Sequence, residues 1–256
     1  MADALLSARG HGPGQSGAPL LRLDGVHTHI GPYHILHGVD FHVRQGGVTM
    51  LLGRNGAGKT TTLRTVMGLW KASAGRVLFQ GEDITLRVTP DIALGGIAYV
   101  PESMGIFADL TVRENVVLAA RSRPIDRARL DWIFSLFPAL KRFWSLPAGH
   151  LSGGQKQMLA IARAIAEPRR LLLIDEPTKG LAPVIVRNMI EAFQALKAAG
   201  ETILLVEQNF YAASVLGDDV VVMDDGRIVH AGPMRDLVAD AGLQQRLLGL
   251  SLDAHQ

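Results

Sequence analysis

The chain has 256 residues, 48% of them apolar and 20% charged, with a formal net charge of +2 and a pI of about 9.1. That balance suits a globular chain of one or two domains with a real core, and it is too mildly basic to call for nucleic acid as a partner. Cysteine is absent, which excludes disulfides and thiol catalysis and is compatible with a cytosolic setting; no apolar run reaches the ~18 residues that a membrane span needs.

Residues 1–18 are rich in Gly, Ser and Pro and read as a disordered tail; their apolar part is too short for a secretory signal. Residues 20–30 and 35–43 alternate apolar with polar, the pattern of half-buried antiparallel strands, with Leu36, Val39, Phe41 and Val43 as the inward positions of the second. "VTMLLG", residues 48–53, is a continuous apolar strand, and "GIAYV", 96–100, a shorter one. Thr111 and Glu114 fit a capping box that opens a helix to residue 120, and residues 124–144 carry helical periodicity through Trp132, Ile133, Leu136, Phe137, Leu140 and Phe143. A helix follows Gly154, "LLLID" (171–175) is a buried strand, and Pro183 opens a helix that runs to about residue 199. "ETILLVE" is a strand, residues 220–232 form a hairpin around Asp225-Gly226, and two short helices end the chain before a tail at 251–256. Alternating strands and helices predict an α/β fold over residues 19–250: a mostly parallel central sheet, an antiparallel N-terminal piece, and a helical subdomain inserted at about 112–150.

"GRNGAGKTT" fits the phosphate-loop pattern, with an apolar strand before it and an amphipathic helix after it. Gly53, Gly56 and Gly58 permit backbone that a side chain would block, so that Arg54, Asn55 and Ala57 can aim their N–H groups at phosphate oxygens together with Thr61 at the helix start. In this pattern Lys59 reaches the terminal phosphates and the Thr60 hydroxyl meets Mg²⁺. "LLLIDEPT" then ends an apolar strand in Asp175, suited to Mg²⁺, and Glu176, suited to orient the attacking water. Two acids after a strand are by themselves most often a solvated strand end; the phosphate loop makes that reading the weaker one. Kinases, GTPases and DNA motors remain open at this point.

"LSGGQKQMLAIARAI" supplies a second anion site at a helix N-terminus: Leu151, Ser152, Gly153, Gly154 and Gln155. An ordinary helix cap would use the same letters, but one triphosphate needs only one cradle. Here the chain resembles the ATP-binding cassette (ABC) family over about residues 20–250. The resemblance implies a P-loop NTPase fold, ATP and Mg²⁺ as cofactors, and a head-to-tail dimer in which residues 151–155 serve the partner's ATP while a membrane partner converts the closing motion into transport.

Three places depart from the commonest pattern of that family: Glu102 in place of Gln, Gln208 in place of a switch His, and "KGLAP" (residues 179–183) after "DEPT". The combination "VPE…LTVRENV…LSGG…DEPTKGLAP…LLVEQN" is similar to the ATP-binding subunits of branched-chain amino acid importers, and beyond them to those serving urea and short amides. This resemblance implies the smaller of two non-identical ATPases, two membrane permease subunits, an extracytoplasmic solute-binding protein, and a place on the cytoplasmic face of the membrane. Glu102 keeps an oxygen for Mg²⁺ or its water, and Gln208 can donate to a γ-phosphate but cannot become a cation. The expectation is that the site on this chain's own phosphate loop turns over more slowly than its partner's. A soluble ABC ATPase of translation or repair is the competing class, but the chain has neither a second cassette nor a long coiled coil. A subunit that binds ATP and hardly hydrolyses it is a further alternative, opposed by Glu176.

Where the family places an aromatic ring against adenine, the candidates are His29, Ile30 and Tyr33. The histidines at 27, 29, 34, 37 and 42 read as surface residues on alternating strands rather than metal ligands. The aromatic set from Trp132 to Trp144 divides between the core of the helical insertion and a groove for a membrane subunit's helix, the core taking most of it.

Overall fold

The computed structural model describes residues 19–120 and 125–249. The expected tails at 1–18 and 251–256 lie outside the described residues. In chain order the elements are β1 (Leu21–Ile30), β2 (Tyr33–Val43), β3 (Val48–Gly53), α1 (Lys59–Val66), β4 (Ala72–Phe79), β5 (Glu82–Asp83), α2 (Thr89–Leu94), β6 (Ile97–Val100), α3 (Val112–Ala119), α4 (Arg127–Leu136), α5 (Pro138–Arg142), α6 (Gly153–Ala164), β7 (Leu171–Asp175), α7 (Pro183–Ala198), β8 (Ile203–Val206), α8 (Phe210–Leu216), β9 (Asp219–Asp224), β10 (Arg227–Pro233), α9 (Met234–Ala239) and α10 (Ala241–Leu248).

Two sheets carry the architecture. β2-β1-β4-β5 is antiparallel throughout, and β10-β9-β3-β8-β7-β6 is parallel except for β10, which closes the Asp225-Gly226 hairpin at one edge. The early strands therefore make the antiparallel N-terminal piece as a sheet of its own. β4 was not legible as a strand: "ASAGRVLF" keeps only Val77 and Phe79 as buried apolar residues, and its pairing with β1 holds it extended. The short β5 and α2 were missed for the same lack of periodicity. Pro138 splits the expected helix at 124–144 into α4 and α5, because it has no N–H to continue the ladder and opens α5 instead.

The alternation of side chains along a strand sorts the parallel sheet's residues into two cores. Leu51, Leu173, Leu204, Val206 and Val221 point toward α1 and the antiparallel sheet, and they join Leu21, Leu23, Val39 and Phe41 there. Met50, Leu52, Leu172, Ile174, Leu205 and Val222 point the other way, against α6, α7 and α8 through Leu159, Met189, Phe193 and Ala213. Both faces are covered, which is why these strands read as unbroken apolar runs. In the α4–α5 region the fully buried members are Ile133, Phe137 and Leu140, whereas Trp132, Phe134, Phe143 and Trp144 are half-buried, with Trp144 edge-on to Phe134 at 5.0 Å.

Capping follows the sequence. Thr111 accepts from the Glu114 N–H while Glu114 accepts from the Thr111 N–H, at the start of α3. Ser152 and Gln155 form the same reciprocal pair at the start of α6. Asn209 caps α8 by accepting from the Ala212 N–H.

Candidate functional site

β3 lies between β9 and β8 in the parallel sheet, so the loop that leaves its C-terminal end emerges beside the ends of β8 and, one strand further, β7. Ligands of open parallel sheets gather at such a position. Gly53 makes the turn: its φ is +143°, and a Cβ there would lie 2.2 Å from the Met223 carbonyl oxygen, so no side chain fits. The loop leads through Gly58 straight into α1.

Lys59 is buried and folds back over the loop, its Nζ donating to the carbonyls of Gly53 (2.8 Å) and Arg54 (3.0 Å). Burial lowers its pKa, opposed by the charges of Glu176 and Asp175. The Thr60 hydroxyl donates to Asp175 Oδ1 at 3.2 Å, and Tyr99 on β6 donates to Oδ2 at 3.4 Å. Burial pushes the Asp175 carboxyl up, with Thr60 acting against it, and holds the Tyr99 phenol at about 12, with Asp175 as the second cause.

Glu176 follows with φ +48°, a left-handed backbone that is costly for a residue with a Cβ and recurs at functional sites. Its N–H donates to the Val206 carbonyl (2.9 Å), which ties the end of β7 to the end of β8. Its side chain is almost fully buried. Gln208 Nε2 donates to Glu176 Oε1 (2.6 Å) and to Asn55 Oδ1 (2.7 Å), and so joins the acid to the phosphate loop. Lys59 Nζ lies 3.9 Å from the same Oε1. Glu102 and Lys179 line the same pocket as Lys59, Thr60 and Glu176.

The structure thus brings together the phosphate loop, Glu102, Asp175, Glu176 and Gln208, all singled out in the sequence. Residues 151–155 do not line that pocket. Ser152 and Gly153 are exposed, and a Cβ on Gly153 would meet nothing within 4 Å. Gly154 differs: a Cβ there would lie 2.6 Å from Ile185 Cγ2, so the close packing of α6 against α7 leaves no room for a side chain at this position.

Of His29, Ile30 and Tyr33, none lines the phosphate pocket; Ile35 does. Tyr33 is 70% exposed. His29 stacks on His34 with ring centres 4.1 Å apart, His27 hydrogen-bonds His34 at 3.0 Å, and His37 lies 4.1 Å from the same ring.

Four contributors were not assigned from sequence. Glu207, read only as the end of a strand, is buried and accepts from the Thr178 N–H (3.1 Å), the Thr178 hydroxyl (2.9 Å) and the N–H groups of Gln208 (3.2 Å) and Asn209 (3.4 Å). Burial raises its pKa while these donors lower it. Its signal was an acid directly after an all-apolar strand. Tyr99 and Ile35 gave no signal beyond their strands. Lys179 was visible only as a departure from a pattern.

The donor set suits a magnesium ion. Hard oxygens, the Thr60 hydroxyl and the Asp175 carboxylate, stand 3.2 Å apart in the site that also holds the buried Lys59 ammonium, and magnesium in such sites takes few protein ligands and completes its shell with phosphate and water.

Comparison with known proteins agrees with this geometry. Residues 36–179 match the ABC transporter family. The chain is 38% identical over 232 residues to the high-affinity branched-chain amino acid transport ATP-binding protein BraG of Pseudomonas aeruginosa, covering 90% of this chain and all of that one. It is 34% identical to a probable branched-chain amino acid transport ATP-binding protein, LivF, of Archaeoglobus fulgidus, over 85% of this chain and 93% of that one. Among solved structures, an ATP-binding subunit of an ABC transporter superposes with a TM-score of 0.75 at 30% identity, over 91% of this chain and 96% of that chain. The ADP conformation of an ATP-binding cassette gives 0.76 at 26% identity, over 91% and 100%. With more than half of its length matching the family and relatives at 34–38% identity along nearly the whole chain, the protein belongs to the ABC transporter family, as one of its ATP-hydrolysing cassettes.

Proposed function

We propose that the chain binds MgATP on residues 53–61, hydrolyses it with Glu176, and energises a membrane importer for branched-chain amino acids. The observation that carries the hydrolytic part is the contact chain Asn55–Gln208–Glu176, which joins the phosphate loop to the acid after β7. The substrate class rests on the likeness to the BraG and LivF proteins.

In this reading the loop N–H groups and Lys59 hold the β- and γ-phosphates of ATP, and Lys59 exchanges its carbonyl partners for phosphate oxygens. Thr60 and Asp175 hold Mg²⁺, with the free oxygen of Glu102 available to its water shell. When bound, the ion neutralises charge that develops on the phosphate oxygens. Glu176 accepts the proton of the attacking water, and Gln208 donates to Glu176 or to the γ-phosphate. Ser152, Gly153, Gly154 and Gln155 offer a capped helix N-terminus to the ATP of a second, related cassette, while Leu151 packs behind it.

The partners in this reading are a non-identical cassette and two permease subunits, with a solute-binding protein acting through the permeases. The chain then works at the cytoplasmic face of the membrane, with residues about 112–150 as the helical subdomain that meets the permease. Among the described residues no helix is long and apolar enough to cross a membrane, so attachment falls to those subunits.

The test has two parts. Glu176→Gln lowers turnover by about 10²–10⁴-fold if Glu176 serves as general base. Copurification with the permeases, followed by ATPase assays with Leu, Ile, Val, urea and acetamide, reads the substrate. Stimulation by urea or acetamide alone points to the urea and amide branch, and failure to join any membrane complex refutes the importer role.

A further inference from the structure

Lys179 has none of the phosphate-binding or hydrolytic roles above, yet it touches two acids of the site. Its Nζ lies 2.7 Å from Glu102 Oε1 and 3.1 Å from Glu176 Oε2. Its N–H also donates to the Glu176 carbonyl (3.2 Å), so the two residues close one turn. The hydrogen bond to Glu102, then the nearby Glu176 carboxylate, holds the ammonium above its ordinary range.

The three partners are not alike. Lys179 and Glu102 are half exposed, at 50% and 48%, and an exposed pair of this kind adds little to stability. Glu176 is 7% exposed. Its Oε1 is held by Gln208, and its buried Oε2 has Lys179 as its ion-pair partner. A lysine stem is flexible and does not by itself fix its charge in space. Glu102, two residues past the end of β6, supplies that anchor at 2.7 Å.

We propose that Lys179 is a positioning residue for hydrolysis: anchored by Glu102, it holds Oε2 of Glu176 and sets the orientation in which that carboxylate meets the attacking water. Glu102 then acts chiefly through Lys179, and Glu102 and Lys179, two separate departures from the commonest family pattern, are one device. The inference rests on the reading of Glu176 as the group that polarises water.

The experiment measures MgATP hydrolysis and nucleotide affinity on the purified full chain, with thermal unfolding of each variant. Lys179→Ala lowers kcat about tenfold, the scale of about 1.4 kcal/mol lost with one ion-pair contact to the carboxylate, with KM for ATP within twofold of wild type. Lys179→Arg recovers at least half of the loss. Glu102→Gln lowers kcat less, and adding it to Lys179→Ala costs nothing further, because its effect passes through the lysine. The proposal is overturned if Lys179→Ala turns over within twofold of wild type, if the loss falls on KM alone, or if Arg does not rescue. Glu176→Gln separates the two readings. If that variant is inactive while Lys179→Ala is normal, only the positioning role falls; if Glu176→Gln itself retains full turnover, the reading of Glu176 falls and takes the positioning role with it.

Discussion

Replacing Glu207 by alanine removes the acceptor for four donors. Two of them, the N–H and hydroxyl of Thr178, are buried, Thr178 being 6% exposed. Stranding a buried donor costs about 1–3 kcal/mol, so the two together cost roughly 2–6 kcal/mol. The carboxylate's own desolvation, the main cause of its raised pKa, is relieved at the same time, which brings the net loss to about 2–4 kcal/mol. For a domain of this size that corresponds to a fall in Tm of roughly 5–12 °C. Glu207→Gln keeps the shape and one oxygen but turns an amide NH₂ toward donors, so about half of the loss remains. Because Glu207 links Thr178, two residues past Glu176, to the backbone of Gln208, the alanine variant also loses kcat. Thermal unfolding followed by circular dichroism measures the first effect and steady-state ATPase assays the second. A Tm within 2 °C of wild type would refute the bracing role.

Three further outcomes follow from the packing. Gly154→Ala lowers Tm by a few degrees because its Cβ must displace Ile185, whereas Gly153→Ala, facing open space and adding helix propensity, does not; parallel melts of the two variants decide this. Arg129 donates to the carbonyls of Ile165 (2.7 Å) and Glu167 (3.2 Å) and pairs with the largely buried Glu201 at 3.5 Å, so Arg129→Ala loses about 2–4 kcal/mol, read as a lower urea midpoint at unchanged m. The pKa of His37 is lowered by burial first, then by His34 and Arg227, with His27 adding to them and Asp225 opposing. A folded value below the unfolded one means that the contribution is present above pH 6.5 and is lost as pH falls below it. This one group therefore contributes a small fall in Tm as pH drops from 7.5 to 5.5, and His34→Asn, which removes the ring at the centre of the cluster, makes that contribution smaller.

Much of this protein was legible because its signals are local. A phosphate loop needs glycines and a lysine at set spacings, a doubly covered strand needs an unbroken apolar run, and a capping box needs two side chains three apart. Each condition is met within about ten residues, so β3, β7, β8, the loop at residues 53–61 and the Thr111–Glu114 cap could be read from the letters. Strand β4 could not, since Ala72, Ser73, Ala74 and Gly75 have no strand pattern of their own and are held extended by β1.

The sequence by itself determined which chemistry is present: a triphosphate cradle, a pair of acids after a strand, and a glycine-rich helix start. Only the tertiary structure decided how these groups address one another. It joined Gln208 to Asn55 across 153 positions of chain, made Glu207 a brace and not merely the end of a strand, gave Gly154 to Ile185, and set Lys179 between Glu102 and Glu176. Such contacts depend on strand order, and strand order is chosen by burying both faces of the parallel sheet at once, a condition that no stretch of sequence expresses alone.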